Sequence, residues 1–265
     1  MPYKFLIYEI KDSVAYITLN RPEAGNVIND TLARELKDVC DQINQDKLIR
    51  AVILRGAGDK AFCLGNELER SIQTKTVKLP LSTQAGDLTS KYSVTSLIAA
   101  INCPVIAAIN GDALGAGLEL ALVCDLRIAI NTAHFGFPYV ASGLMPMDGG
   151  TQRLPRLISK GKSLEMILTG DLIDAQEALR IGLVNKIVPS KELAAEVDQI
   201  AQKIREKAPI ALRFAKEAVN KGLDLTLEQG LRLEADLYFL LHTTQDRTEG
   251  ITAFRTKKAP RFQGK

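Results

Sequence analysis

The chain has 265 residues, of which 46% are hydrophobic and 25% charged, as in ordinary globular proteins. Lysine and arginine number 34 against 31 aspartate and glutamate, and a net charge of only +3 argues against a surface dedicated to nucleic acid. With two histidines and four scattered cysteines, the sequence lacks the closely spaced ligands of a zinc site, and it has no G-x-S-x-G turn for a Ser-His-Asp hydrolase. The chemistry is therefore expected to use carboxylates, tyrosine and backbone dipoles.

The cysteine surroundings and the N-terminal residues indicate the compartment. Cys63 and Cys124 lie in apolar runs, as buried free thiols of a reducing compartment do. Residues 1–11 mix charged and apolar side chains without a signal-peptide core, and no apolar run reaches the ~20 residues that span a membrane. We therefore expect a cytoplasmic protein that does not span a membrane.

The first part of the chain alternates strands with helices. Residues 5–10 and 14–19 are rich in β-forming side chains, and the break at Lys11-Asp12-Ser13 predicts a hairpin. Asn29 or Asp30 can cap a helix whose apolar residues recur at three- and four-residue steps, namely Leu32, Leu36, Val39 and Ile43. A helix is predicted to end over residues 97–101, and further strands are predicted at 51–55, 105–109 and 126–130. This order is typical of an α/β core with parallel strand pairing.

Beyond Gly170 the pattern becomes mainly helical. Apolar periodicity predicts one strand at 186–188 and helices at 174–181, 191–207, 210–221, 227–243 and 246–256. We divide the chain into a core over residues 1–200 and a C-terminal helical region over residues 201–265, with Pro209 as the hinge.

Glu119 is the first candidate for chemistry. It is the only charged residue between Asp112 and Asp125, within a helix of otherwise apolar residues. Burial of an unpaired carboxylate costs several kcal/mol and should raise its pKa, which suits a group that carries protons near neutral pH. An acidic residue in a first helical turn also complements the helix dipole, but in so apolar a helix we favour the functional interpretation.

Two glycine-containing loops can hold an oxyanion. Gly115-Ala116-Gly117 precedes the helix of Glu119, whose first N–H groups point outward at the positive end of the helix dipole. Residues 60–68 follow the strand at 51–55 with the same order of apolar residues, glycine and helix start. Each loop alone also fits an ordinary tight turn. Together they can donate two N–H groups to one oxygen and polarise a thioester carbonyl.

Several short motifs follow one another along nearly the whole chain. They are LNRP at 19–22, AFCLGNEL at 61–68, PVIAAING at 104–111, GAGLELA at 115–121, GGTQRL at 149–154, LTG at 168–170, ALRIGLV at 178–184 and EGITAF at 249–254. Each motif is modest evidence alone, whereas their order and spacing are specific. On these motifs the chain resembles the enoyl-CoA hydratase/isomerase (crotonase) superfamily.

The resemblance implies a fold, a ligand and an assembly. The fold is α/β, a crotonase-like spiral of ββα repeats with a C-terminal helical oligomerisation region that builds a homotrimer or a dimer of trimers. The ligand is an acyl-CoA thioester, and coenzyme A is part of the substrate, so neither a separate cofactor nor a metal is implied. In the family's pattern the two oxyanion-hole N–H groups fall on Asn66 and Ala116.

The proton chemistry is matched less completely. Hydratases of this family typically use two glutamates; the first matches Glu119, whereas the second falls on Tyr139. A phenol with a pKa of about 10 is a poor base at neutral pH but can donate a proton or hold a water. Asp148 keeps two open interpretations, a substitute carboxylate facing the acyl pocket or an N-cap of the helix that follows it.

Further residues are matched to substrate binding: Ala24, Phe62, Gly65, Leu68, Gly115, Lys257 and Lys258. The first lies in the loop that lines the adenine end of CoA, and the next four lie in the two loops of the oxyanion hole. The two lysines match a basic segment near the CoA phosphates, and they equally fit a solvated tail. Residues 71–94, where acyl pockets of the family vary most, do not reveal the acyl group.

The resemblance thus predicts an enzyme that hydrates an α,β-unsaturated acyl-CoA. Asn66 and Ala116 would hold the thioester oxygen, and Glu119 would deprotonate the attacking water. Tyr139 or Asp148 would position that water or manage the α-proton. Because Tyr139 stands where a second glutamate is expected, an isomerase, dienoyl-CoA hydratase, thioesterase or decarboxylase of the same fold stays open. A non-catalytic, acyl-CoA-binding structural subunit is the alternative from another class.

Overall fold

The computed structural model describes residues 2–67 and 93–265 of the chain. Within these ranges the strands form a six-stranded and a four-stranded sheet. The larger sheet contains β1 Leu6–Lys11, β2 Val14–Leu19, β3 Ala51–Gly56, β5 Val105–Ile109, β7 Leu126–Ile130 and β10 Lys186–Val188. The smaller sheet contains β4 Ala61–Cys63, β6 Asp112–Leu114, β8 His134–Gly136 and β9 Ile173–Asp174. The chain therefore passes repeatedly from the larger sheet to the smaller one.

The larger sheet begins with the predicted hairpin. β1 pairs antiparallel with β2, and the turn residues Asp12 and Ser13 have positive φ angles of 49° and 64°. From β2 onward the order β2-β3-β5-β7-β10 is parallel throughout. Parallel strands are buried on both faces, which explains the continuous apolar runs of β3 and β5. The predicted hairpin and parallel core are confirmed.

The smaller sheet was not predicted as a unit. β4, β6 and β8 have three residues each, too few to show the alternation that identifies a strand in a sequence. The sequence therefore predicts a loop over residues 60–68. Pairing with a distant neighbour, rather than local pattern, makes these segments strands.

The first helix, α1 (Asp30–Gln45), forms as predicted. Asn29 caps it, because its Oδ1 accepts a hydrogen bond from the N–H of Leu32 at 2.9 Å. The predicted apolar stripe is buried, including Leu36 and Val39. The other helices in the described residues of this part are α2 Thr95–Ala99, α3 Ala116–Val123, α4 Gly150–Leu157, α5 Lys160–Thr169, α6 Ala175–Arg180 and α7 Leu193–Arg205.

The C-terminal part is helical, as predicted, with α8 Pro209–Gly222, α9 Leu227–Leu241 and α10 Gln245–Thr256. Lys216 of α8 joins it to the core, because its Nζ lies 2.7 Å from the Asp125 carboxylate and donates to the Cys103 carbonyl at 2.9 Å. Residue 200, the predicted boundary between the core and the C-terminal region, falls within α7, and α7 packs on the larger sheet. The division into two regions stays a prediction. Among the described helices, none has both the length and the apolar character required to cross a membrane.

Candidate active site

Three neighbouring strands of the smaller sheet lead to predicted site residues. β4 pairs in parallel with β6, and β6 pairs in parallel with β8. The carboxyl ends of parallel strands meet at one edge of a sheet, where ligands of α/β proteins commonly bind. β4 leads to Asn66, β6 to Ala116 and β8 to Tyr139. The short strands thus gather residues that are far apart in the sequence.

The start of α3 lies against the last residue of β4. A Cβ atom on Gly117 would be 1.9 Å from the carbonyl oxygen of Cys63, so this approach requires glycine. Gly115, with φ 54° and ψ −129°, turns the chain into the helix through a conformation that other residues avoid. The N–H of Ala116 is the first of α3, and the first N–H groups of a helix have no acceptor within it. The two glycines therefore bring the start of α3, with the N–H of Ala116, against the end of β4, from which the chain continues to Asn66.

The loop of Asn66 is held by pairing with Ile28. The N–H of Ile28 donates to the Gly65 carbonyl at 2.9 Å, and the Ile28 carbonyl accepts from the N–H that follows Asn66 at 2.8 Å. Asn66 is 1% exposed. Both predicted oxyanion residues thus occupy restrained backbone positions.

Glu119 is completely buried, at 0% exposure, as predicted. Its Oε1 accepts hydrogen bonds from the backbone N–H groups of Asp148 at 2.8 Å and Gly150 at 2.7 Å. A Cβ atom on Gly150 would be 2.8 Å from the Phe137 ring and 3.1 Å from Oε1, so the close approach of this amide requires glycine. The two N–H donors stabilise the ionised carboxylate, which is the form that accepts a proton.

Tyr139 lies beside Glu119. Its hydroxyl donates to Oε2 of Glu119 at 3.4 Å, and Tyr139 is 2% exposed. The ring stacks on Phe137 with a centroid distance of 5.9 Å and an interplanar angle of 14°. The structure therefore brings together Glu119 and Tyr139, which occupy the two glutamate positions of the family's pattern.

Asp148 approaches Glu119 with its backbone and directs its side chain elsewhere. Its carboxylate accepts hydrogen bonds from Ser93, Val94 and Thr95 at the start of α2. The interpretation of Asp148 as N-cap of the following helix is wrong, because Gly149 holds that position in α4 without a side-chain bond. Asp148 caps a helix that lies much earlier in the chain. Its alternative role as a substitute carboxylate stays a prediction.

The other predicted contact residues have different surroundings. Phe62 is 0% exposed, and its side chain packs within the hydrophobic core. Ala24 ends a 3₁₀ helix, and the next carbonyl, of Gly25, accepts from the N–H of Leu64 at 3.0 Å. This bond ties the Ala24 segment to the loop after β4. Leu68 and most of the variable 71–94 stretch lie outside the described residues.

Lys257 and Lys258 are exposed at the end of α10. The tail that follows them folds back on the start of the same helix, where the Asp246 carboxylate accepts from the N–H groups of Gln263 and Gly264 at 2.7 and 2.8 Å. In residues 2–67 and 93–265, no hydrogen bond or ion pair joins either lysine to a predicted catalytic residue. Their contact with CoA phosphates stays a prediction.

The backbone N–H donors that hold Glu119 are not predicted from the sequence. The available signal was the Gly149-Gly150 pair in the GGTQRL motif, because paired glycines indicate a close backbone approach. Thr95 is a further residue that is not predicted from the sequence. Its hydroxyl contacts Asp148, which lies 53 positions later in the sequence. Such a contact has no local signature.

A cavity of about 470 Å³ lies apart from this site, between the larger sheet and α7. Across it, the Tyr16 hydroxyl donates to Asp198 of α7 at 2.9 Å. On its sheet side the Arg55 Nε of β3 donates to Thr18 of β2, also at 2.9 Å. Its lining includes none of the predicted site residues.

Residues 9–265 match the family model described as enoyl-CoA hydratase/isomerase. The chain belongs to this family. The crotonyl-CoA hydratase of Syntrophomonas wolfei is 41% identical over 265 residues, which is 100% of both chains. The (E)-benzylidenesuccinyl-CoA hydratase of Thauera aromatica is 39% identical over 258 residues, covering 97% of this chain and 98% of that protein. The predicted family is confirmed.

A solved structure extends the agreement to the fold. An enoyl-CoA hydratase from Bacillus anthracis has a TM-score of 0.90 and 38% identity, covering 99% of this chain and 100% of that one. The predicted crotonase-like α/β fold is therefore confirmed.

Proposed function

We propose that the chain is an enzyme that hydrates the double bond of an α,β-unsaturated acyl-CoA. The family model and the hydratase names of the relatives support this reaction class. The observation that carries the proposal is the buried Glu119 carboxylate, which accepts hydrogen bonds from two backbone N–H groups. Glu119 belongs to the helix that starts at the oxyanion loop. Coenzyme A enters as part of the substrate, so the proposal needs no separate cofactor.

The N–H groups of Asn66 and Ala116 hold the thioester oxygen in this proposal. As water adds to Cβ, negative charge moves onto that oxygen and an enolate forms. Fixed N–H donors aimed at a developing oxyanion are each worth roughly 10²–10³ in rate. The contact of Gly117 with Cys63 and the pairing of Ile28 with Asn66 restrain the two loops, which supports this role.

Glu119 is the proposed base. It removes a proton from water as the water oxygen bonds to Cβ, and that proton is returned to Cα of the enolate, so one water is added across the double bond. The hydroxyl of Tyr139 orients the carboxylate through its hydrogen bond to Oε2. Because a neutral phenol is a poor base at neutral pH, the same carboxylate serves both proton transfers.

Glu119→Gln tests the mechanism. The amide oxygen of glutamine can still accept from the N–H groups of Asp148 and Gly150, but the side chain cannot take a proton. We expect the kcat for crotonyl-CoA hydration to fall by roughly 10²–10⁴ while the far-UV circular dichroism is unchanged. Activity within tenfold of the parent would show that Glu119 is not the base.

Glu35→Gln is the matched control. Like Glu119, Glu35 accepts two backbone N–H bonds, from Lys4 at 2.7 Å and Phe5 at 2.9 Å, but it lies on α1. We expect parent activity, so a loss confined to Glu119→Gln reports proton transfer rather than the loss of a bonded carboxylate.

Product mass separates hydration from the rival reactions that Tyr139 leaves open. Over a panel of acyl-CoA thioesters, hydration adds the mass of one water, isomerisation leaves the mass unchanged and decarboxylation removes carbon dioxide. A thioesterase releases free CoA. Tight binding without any product would instead identify a non-catalytic subunit.

We also propose a homotrimer or a dimer of trimers. The C-terminal helices expose large apolar side chains, with Leu227 80% and Phe254 86% exposed. Others on these helices are Val219, Leu231, Tyr238 and Phe239, and Leu223 follows α8 directly. Apolar surface of this kind marks protein–protein interfaces. In such an assembly Lys257 and Lys258 would meet CoA bound by a neighbouring subunit; a monomer by light scattering would refute the assembly. A cytoplasmic location stays a prediction from the sequence.

A further inference from the structure

Four donor groups at the start of α2 lie within hydrogen-bond distance of the Asp148 carboxylate. Oδ1 accepts from the Ser93 hydroxyl at 2.6 Å. The Thr95 hydroxyl lies 2.8 Å from Oδ1 and 2.9 Å from the Asp148 carbonyl oxygen, and it can donate its single proton to either. Oδ2 accepts from the backbone N–H groups of Val94 at 3.0 Å and Thr95 at 3.1 Å. An ionised carboxylate has about four lone-pair positions, so three of them are filled by Ser93, Val94 and the Thr95 N–H, and the Thr95 hydroxyl can fill the fourth.

The backbone of the same residue holds Glu119. The N–H of Asp148 donates to Oε1 of Glu119 at 2.8 Å, and the N–H of Gly150 donates to the same oxygen at 2.7 Å. The direction of the Glu119 carboxylate therefore depends on the position of the short segment from Asp148 to Gly150.

A third group fixes that segment. Nη1 of Arg153 donates to the Asp148 carbonyl at 3.1 Å and to the Thr95 hydroxyl at 3.3 Å. Gly149, which lies between Asp148 and Gly150, has a φ of 111°, and a Cβ atom there would be 1.9 Å from Nη1 of Arg153. The side chain of Asp148 is thus attached to the start of α2, its carbonyl to Arg153 and to the Thr95 hydroxyl, and its N–H to Glu119.

We infer that Asp148 is a positioning residue, which uses its side chain to anchor to α2 the backbone N–H that orients Glu119, and which transfers no proton in the reaction. The inference rests on the proposed function, in which Glu119 is the base. It replaces the view of Asp148 as a second catalytic carboxylate, because the lone pairs that would meet water or substrate already accept from Ser93, Val94 and Thr95.

The variants Asp148→Asn and Asp148→Ala separate the two roles. Asparagine is a good helix cap; its oxygen can accept from the two backbone N–H groups, while its NH₂ group can donate to the hydroxyls of Ser93 and Thr95, which rotate to accept. Alanine can do neither. We expect Asp148→Asn to keep kcat within about fivefold of the parent with an unchanged pH profile. We expect Asp148→Ala to lower kcat by about thirtyfold or more, with KM for crotonyl-CoA within about threefold, because the loss falls on the alignment of the base.

Two results would overturn the inference. If Asp148→Asn is as slow as Asp148→Ala, the ionisable carboxylate itself is required and Asp148 transfers a proton. If Asp148→Ala keeps the parent kcat, the anchor does not position Glu119.

A control and a second readout complete the experiment. Asp174 caps α6 by accepting from the N–H of Glu177 at 2.8 Å, and Asp174→Ala should lower the melting temperature without changing kcat. Amide hydrogen exchange at Val94 and Thr95 should accelerate in Asp148→Ala and not in Asp148→Asn; equal exchange in both variants contradicts the anchor. This readout does not depend on the reaction, so a failure of the proposed function, seen as full activity of Glu119→Gln, stays distinguishable from a failure of the inference.

Discussion

Gly117→Ala should displace the start of α3 from the loop that carries Asn66. The new Cβ atom would be 1.9 Å from the carbonyl oxygen of Cys63, 2.6 Å from its carbonyl carbon and 2.8 Å from its Cβ. Two of these three atoms belong to the backbone of Cys63, the last residue of β4, which a rotamer change cannot move. To reach a tolerable contact, the start of the helix or the loop must shift by roughly 1 Å.

The shift acts on the N–H of Ala116, which immediately precedes Gly117. A misplacement of roughly 1 Å in a catalytic group can cost about 10²-fold in rate, and the loss of one oxyanion donor costs roughly 10²–10³-fold. We therefore expect kcat/KM for crotonyl-CoA to fall about 10²-fold, measured by the absorbance of the conjugated thioester. Overpacking should also lower the free energy of unfolding by about 1–3 kcal/mol, measured by urea denaturation.

Gly161→Ala is the matched control. Gly161 is also near the start of a helix, α5, but no heavy atom lies within 4 Å of the Cβ position. We expect parent activity and a stability gain of at most about 1 kcal/mol, because alanine favours the helix. If Gly117→Ala keeps more than a third of the parent kcat/KM, the close approach of these two loops does not place the oxyanion donor, and the reasoning fails.

Two further predictions follow from buried side chains. Tyr139→Phe keeps the ring stacked on Phe137 but loses the hydroxyl that donates to Glu119. We therefore expect kcat to fall about tenfold with an unchanged melting temperature. A variant with the parent kcat would contradict the orienting role of the hydroxyl. Burial raises the pKa of the Cys40 and Cys124 thiols to about 12, above an ordinary value of 9.0, so about one thiol in ten thousand at these positions is ionised at pH 8. Mass spectrometry after alkylation at pH 8 should find both unmodified in the folded protein and both modified in denaturant; rapid labelling of the folded protein would contradict their burial.

Local chemistry made much of the fold predictable. The spacing of the apolar residues in α1, the capping side chain of Asn29 and the apolar runs of β3 and β5 each depend on nearby residues alone, and each formed as predicted. The burial of Glu119 was predictable for the same reason, because a helix that is apolar on every side must be surrounded by protein. The motifs added the family and the positions of Asn66, Ala116 and Tyr139.

Other features depended on contacts between distant segments. The strands of the smaller sheet are too short to have a pattern of their own, and they exist because β4, β6 and β8 pair with one another. Asp148 fits a helix cap in the sequence, but only the folded chain shows that it caps α2, across more than fifty residues. The sequence by itself therefore determined the periodic elements, the family and the identity of the candidate groups, because side-chain chemistry and local spacing encode them. Only the tertiary structure decided which backbone amides meet the Glu119 carboxylate and where the Asp148 side chain is directed, because both depend on packing that brings remote segments together.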